Sequence, residues 1–479
     1  MSEIQPNKKL VFCFDGTSNT LDIPYPTNVA ITAAAVQNTS KTGPQIVYYD
    51  EGVGSGSLGD KMKGGAVGAG LYDKVIEAYK FLVFNYEPND EIFIFGFSRG
   101  AYTARSFAGL IHHVGVVNSC FADKIKVATA LYQNREKKDV IDDLDDINEF
   151  RRQFVTDSCA SEQDIAWRLA NVEGFEPTLP IVRVRYIGVW DTVKTIGDPR
   201  FGDDDGDGEY DDAEFHDHNL YPSVVAARHA VSIDERRKKF NVTPWDNIDA
   251  LNQVRGFDVA DPDRPYQQQW FPGGHGSVGG GGDIRGLSDE GLEWVLDGAK
   301  AEGLALDVST HSKIWGIRPD VLAPLENAST VSWKPADVVM RLLPKADRKG
   351  PSAIHEISTA TIVRWAAPAK FTPEKKAYRP APLSSLGDQL DAAAKAYASW
   401  EFASRGSYEK EAEAVAETVS AESRTFRRYV IQLGESLGGI AERELGDKDR
   451  AGEILDINRT TILDPNRYYA GQIINLPMA

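Results

Sequence analysis

Cysteine is scarce: the 479-residue chain has three, Cys13, Cys120 and Cys159. The odd count excludes a full set of intramolecular disulfides, and no CxxC pair or metal-type spacing links them, so they read as free thiols. Positive charge is in deficit. Lys and Arg number 53 against 71 Asp and Glu, a net charge of −18. That excludes a general nucleic-acid binder, which needs a basic footprint. It leaves room for an enzyme that meets lipid. Long apolar runs are missing: none reaches the ~18 residues of a membrane-spanning helix. The N-terminal MSEIQPNKKLVFCF has no basic stretch followed by a long apolar core and a small-residue cleavage site. The expectation is therefore synthesis in the cytoplasm without a Sec signal, so that action elsewhere needs another carrier. No solenoid-type repeat is present. Hydrophobic content of 42% and aromatic content of 10% supply a large core and exclude wholesale disorder.

What is there reads as an α/β fold. Leu10–Phe14 is a continuous apolar run, suited to a strand covered on both faces. Residues 45–50 and EIFIFGF at 91–97 read as further strands. Residues 71–86 carry an apolar stripe at three- and four-residue spacing, and a helix follows the third strand from Arg99 to about His113. The charged stretch 121–175 reads as a helical insertion or lid. IVRVRYIGVW (181–190) is a strand, 222–237 a helix, 267–271 a short strand and 288–303 a helix. The pattern is weak from 305 to 385. The expected domains are a catalytic body over 1–385, a helical connector over 386–426 and a small βααβ unit over 427–479.

Gly96-Phe97-Ser98-Arg99-Gly100 is G-x-S-x-G set between strand and helix. A serine there sits on a sharp turn with its hydroxyl projecting from the sheet edge, and the helix N-terminus can meet a developing oxyanion. The backbone N–H of Arg99 is one expected oxyanion donor. Gly16 and Thr17, in the Asp15-Gly16-Thr17 turn after the first strand, are the expected source of the second. The alternative for that turn is a plain strand ending.

A serine needs a base to take its proton. His275 lies in WFPGGHG, and seven of the ten residues 273–282 are glycine, so backbone there can approach a substrate closely. His229 falls in an expected helix and reads as structural; His112 and His113 read as packing or capping groups. The orienting acid is Asp191, directly after YIGVW at a strand end, with Asp234 in IDERR as the alternative. The order Ser98, Asp191, His275 is that of an α/β hydrolase.

One loop reads as a cation site. Asp203, Asp205, Asp207, Gly208 and Glu214 occupy positions 1, 3, 5, 6 and 12 of D-x-D-x-D-G-x5-E, with Glu209 at 7 and Asp211 at 9. Alternate carboxylates suit the six to eight oxygens that Ca²⁺ takes. The flanks are not helical, and a solvated acidic loop is the competing reading. A structural calcium is expected there, and no organic cofactor.

Several blocks agree with one family. VFCFDGTSNT, GFSRGAYTAR, YIGVWDTV, ARHAVSIDERR, WFPGGHGSVGGG and LSDEGLEWVL follow the order found in the α/β-hydrolase domain of class-one type VI secretion lipase effectors, and IHEISTATIVRW and YRPAPL resemble its closing blocks. The resemblance covers roughly 8–385. It implies a mostly parallel sheet with helices on both faces, and an acyl-ester hydrolase with phospholipid among its substrates. It also implies delivery by a type VI-like machine, with secretion-machine or immunity proteins as partners. The serine of GFSRG maps onto Ser98 and the histidine of the WFPG block onto His275; an acid maps onto Asp191. Residues 429–477 resemble a LysM domain, through Gly434, Leu437, Ile440, Ala441, Asn458, Pro465, Asn466, Gly471, Gln472 and Pro477. That implies binding of peptidoglycan or another N-acetylglucosamine glycan. The alternatives are an esterase acting on small or polymeric esters, and a non-catalytic glycan-binding scaffold.

Overall fold

The computed structural model describes residues 8–16, 19, 25–52, 66–134, 140–193, 219–308, 316–329, 342–397, 426–431, 435–458 and 473–477. The chain divides into two compact units, Met1–Ala398 and Ser399–Ala479.

The first unit is built on a seven-stranded sheet. In chain order its elements include β1 (Lys9–Phe14), α1 (Asn28–Ala35), β2 (Thr39–Ser40), β3 (Gly43–Asp50), α2 (Ala66–Asn85), β4 (Glu91–Phe97) and α3 (Arg99–Val114). There follow α4 (Ile125–Asn134), α5 (Val140–Phe154), α6 (Glu162–Asn171), β5 (Val184–Trp190), β6 (Val224–Ser232), α7 (Ile248–Val254), β7 (Tyr266–Phe271), α8 (His275–Gly279) and α9 (Gly286–Ala301). The strand order is β2-β3-β1-β4-β5-β6-β7, parallel throughout except for the two-residue β2. The chain leaves β1 toward β3 on one side and returns to β4 on the other. The carboxyl ends of β1 and β4 therefore flank a topological switch point, the crevice where open α/β sheets bind ligands.

Alternation within the strands assigns the two faces. Ile92 and Ile94 of β4, with Ile187 and Val189 of β5, join Leu10, Phe12, Phe14 and apolar residues of α2 and α3 in one buried cluster. Phe95 turns to the opposite face, against Tyr186 and Trp190. There α9 seals the sheet: Tyr186 Oη donates to Val295 O (2.6 Å) and Trp190 Nε1 to Gly291 O (3.2 Å). Helices thus cover both faces, which is why β1 is buried along its whole length.

Two expectations change. The stretch 222–237 is not a helix: Val224–Ser232 is the interior strand β6. Its Ala-Ala-Arg-His run favours a helix locally, but Tyr186 stands opposite Ala226 and Trp190 opposite Ala230 in the β5–β6 register. Alanines supply the room that β5's large aromatic side chains need, so tertiary packing overrides propensity. Within 121–175 the described residues form the helices α4, α5 and α6, and Ile125, Ala128, Tyr132, Phe150 and Val155 are buried in the same cluster as β1, α2 and α3. Those side chains close the body instead of forming the free face of a lid.

Residues 386–397, expected in the connector, pack on the first unit: Leu386 and Leu390 are buried with Trp270 and Trp365. The rest of that stretch, up to 425, lies outside the described residues. The second unit has the order β8 (Phe426–Val430), helices Leu437–Leu445 and Ala451–Ile457, and β9 (Ile473–Pro477), with the two strands antiparallel. Ile431, Leu437, Ile440, Ala441, Ile454, Ile474 and Leu476 form its core.

Candidate active site

Parallel register brings the site together. Phe97, the last residue of β4, pairs with Trp190, the last of β5, so Ser98 and Asp191 emerge side by side. Trp190 in turn pairs with Ala230. Ser98 is the hinge between β4 and α3, at φ 59° and ψ −125°, a conformation that costs a non-glycine residue ~1–3 kcal/mol and needs surrounding structure to hold it. Ser98 N donates to Trp190 O (3.0 Å), and Val193 N donates to Ser98 O (3.3 Å). The flanking glycines are required by space. A Cβ on Gly96 would come within 2.5 Å of Gly100 O, and one on Gly100 would overlap Phe14 O and Asp15 O. Asp191 is also in the left-handed region, at φ 40°.

Ser98, His275 and Asp191 form one hydrogen-bonded chain. His275 Nε2 lies 2.8 Å from Ser98 Oγ, and His275 Nδ1 lies 2.6 Å from Asp191 Oδ2. All three are buried. With Asp191 ionised, Nδ1–H donates to the carboxylate and Nε2 is left to accept from the serine hydroxyl. His275 opens the short helix α8 instead of sitting within a loop, and the Phe97 and Phe240 rings flank it at 4.6 and 4.8 Å. Burial pushes its pKa below the ordinary histidine value, against the opposing hydrogen bond and charge of Asp191 and the charge of Glu235. Burial would raise the Asp191 carboxyl; the charge of Arg348 and the contacts with His275 together outweigh it and hold it well below the usual range.

The alternative acid is elsewhere. Asp234 Oδ2 accepts from Tyr378 Oη and from Gly273 N, both at 2.7 Å, and burial raises its pKa. Its neighbour Glu235 is the carboxylate nearer the site: it accepts from His275 N (3.3 Å) and pairs with Arg237 (2.6 Å). His229, on β6, is structural in its contacts: Nε2 accepts from Thr192 N (3.2 Å) and Nδ1 bonds Gln268 Oε1 (2.9 Å). His112 Nδ1 bonds Ser223 Oγ (2.9 Å), away from this chain of contacts.

Arg99 is the first residue of α3. Gly16 lies against Ser98, since a Cβ on it would reach 3.3 Å from Ser98 Cβ. Its N–H is donated to Asp15 Oδ1 (2.6 Å), so that bond must be exchanged before Gly16 can serve an oxyanion. Thr17 lies outside the described residues, as do Asp203, Asp205, Asp207, Glu209, Asp211 and Glu214 of the acidic loop. Among the described residues no group of three or more His, Cys, Asp or Glu is arranged to hold a metal ion. None of the described helices is long and apolar enough to cross a membrane. Two cavities of about 470 and 480 Å³ lie along the β7 side; neither is lined by Ser98, Asp191 or His275.

Sequence reasoning missed Arg348, whose guanidinium grips Asp191, because it sits in the weakly patterned 305–385 stretch and no motif surrounds it. Glu235 had a signal: it adjoins the rival acid in IDERR.

The family model described as "T6SS, Phospholipase effector Tle1-like, catalytic domain" matches residues 8–298. An uncharacterized protein of Saccharomyces cerevisiae is 28% identical over 258 residues, 50% of this chain and 33% of that protein. Among solved structures, an uncharacterized protein from Pseudomonas aeruginosa aligns with a TM-score of 0.35 and 17% identity, over 70% of this chain and 52% of that one. The Tle1 effector bound to the VgrG spike of the type 6 secretion system aligns with a TM-score of 0.28 and 18% identity, over 57% of this chain and 51% of that one. The chain thus spans about a third of the yeast protein and about half of each solved chain.

Proposed function

The chain belongs to the Tle1-like phospholipase effector family of type VI secretion through its catalytic domain, and on that premise we propose that it is a serine-dependent carboxylic ester hydrolase acting on lipid. One observation carries this reading: the unbroken contact chain from Ser98 Oγ through His275 to Asp191, at 2.8 and 2.6 Å. In the proposed reaction Ser98 Oγ attacks the ester carbonyl carbon while its proton passes to His275 Nε2. Asp191 stabilises the imidazolium. The tetrahedral oxyanion is met at the N-terminus of α3, where the Arg99 N–H is the proposed donor, with Gly16 or Thr17 as the second. Collapse expels the alcohol, which takes the proton from His275, and water then releases the acid by the same route in reverse.

The family, described as type VI secretion phospholipase effectors, supports export by a type VI machine, and a secretion-machine or immunity protein is the partner proposed with it. The βααβ order of residues 426–477 supports a LysM-like unit that grips peptidoglycan. Full-length protein mixed with purified peptidoglycan should sediment with it; protein that stays in the supernatant refutes that assignment. For residues 203–214 the spacing alone supports a structural Ca²⁺, which adds no step to the chemistry. Calorimetry should show heat on Ca²⁺ addition and a higher melting temperature; the absence of both refutes the site.

Hydrolysis assays test the central reading. Wild-type protein should cleave phospholipid vesicles and a series of p-nitrophenyl esters. Ser98→Ala should lose ~10⁴-fold or more in kcat while its circular dichroism is unchanged. Equal activity in the variant overturns the proposal. Cleavage of short esters without vesicle hydrolysis would keep the serine mechanism and replace lipid by a small or polymeric ester.

A further inference from the structure

Asp191 meets more than His275. Arg348 Nη1 lies 2.6 Å from Asp191 Oδ1 and Nη2 lies 3.0 Å from Oδ2, a two-pronged grip on a fully buried carboxylate. The same guanidinium donates from Nη1 to Ser232 O (2.9 Å) and Ser232 Oγ (2.7 Å), and from Nη2 to Phe240 O. Ser232 N completes the shell of Asp191 Oδ1 at 2.9 Å. Arg348 is itself 8% exposed. The segment just before it is pinned: Ala346 N donates to Arg236 O (2.7 Å) and Lys238 N to Pro344 O (2.9 Å). Arg348 itself lies fifty residues beyond the end of the matched catalytic-domain region, residues 8–298.

We infer that Arg348 is a positioning residue that fixes the Asp191 carboxylate and offsets its charge, so that His275 works as a weaker, more readily neutral base. The inference rests on the hydrolase reading above. An arginine fork fits a carboxylate in one plane, which holds Oδ2 on His275 Nδ1. The charge pattern around the imidazole is balanced. The β5 end contributes the negative Asp191, and the loop after β6 contributes negative Glu235 with positive Arg237. Arg348 supplies the second positive charge from the 344–350 segment. The remaining faces carry the Ser98 hydroxyl and the Phe97 and Phe240 rings. Loss of Arg348 would leave the negative pair stronger than the positive one, and the imidazolium would be favoured.

The test is the pH profile of kcat/KM, measured on full-length enzyme whose active fraction is set by fluorophosphonate labelling. Wild-type enzyme should show an acid limb below about 6.5, the ordinary histidine value. Arg348→Met and Arg348→Gln should move that limb upward by about half a pH unit or more, with kcat reduced and KM little changed. Arg348→Lys, which keeps the charge, should hold the limb close to its wild-type position. A purely structural arginine would lower the melting temperature and the active fraction but leave the limb of the folded fraction in place. A limb that stays or falls in the neutral variants overturns the inference. If the neutral variants do not fold, Arg348→Lys decides: a limb displaced upward from the wild-type one by about half a pH unit overturns it. Failure of the wild-type enzyme to label would instead sink the hydrolase reading.

Discussion

Ser98 and Asp191 both sit at positive φ on a backbone that gives them no conformational relief, at 59° and 40°. Such strain persists where neighbours overdetermine it. Gly100 shows the margin: its Cα packs on the carbonyls of Phe14 and Asp15, where a methyl has no room. Gly100→Ala should therefore reduce soluble yield and lower the melting temperature by several degrees, read by differential scanning fluorimetry. Asp191→Asn asks a different question. It keeps the shape of the side chain but removes the charge that fixes the histidine tautomer, and kcat should fall ~10⁴-fold. A fall of less than about tenfold would argue that the acid does nothing for the base. Ser98, Asp191 and His275 were legible in the sequence because each follows a strand end with small or turn-forming neighbours. Arg348 was not, because a lone arginine reaching across the fold leaves no local spacing to read.

Strand β6 is where local preference and tertiary structure part. Its alanines are helix formers by intrinsic propensity, yet they stand opposite the aromatic residues of β5 in an interior strand. Ala230→Leu should overpack the space beside Trp190, costing ~1–3 kcal/mol and lowering the urea midpoint. An unchanged midpoint would contradict this account of why β6 is a strand. The strands with continuous apolar runs, β1, β4 and β5, were readable because burial on both faces writes itself into composition. β6 was not, since its small residues serve its neighbours' volume instead of its own hydrophobicity.

Across the whole molecule, buried histidines tie stability to pH. Burial and the nearby charge of Arg105 push His229 down to about 3. The unfolded chain takes up that proton below about 6.5 and the folded chain does not until about 3, so this group destabilises the fold as pH falls through that window. His275 acts in the same direction, and the raised carboxyls of Asp15 and Asp234 oppose both in the acid range. The urea midpoint should decline from pH 6.5 to 4.5, and His229→Gln should flatten part of that decline. A slope identical in the variant would contradict the shift.

The central claim is that Ser98 is the nucleophile. Its most direct test is intact-mass and peptide-mapping spectrometry after reaction with a fluorophosphonate. The account predicts a single adduct per chain, on the peptide carrying Ser98, that is absent from Ser98→Ala and slowed by His275→Ala. An adduct on another serine, or none on a folded wild-type chain, would contradict it.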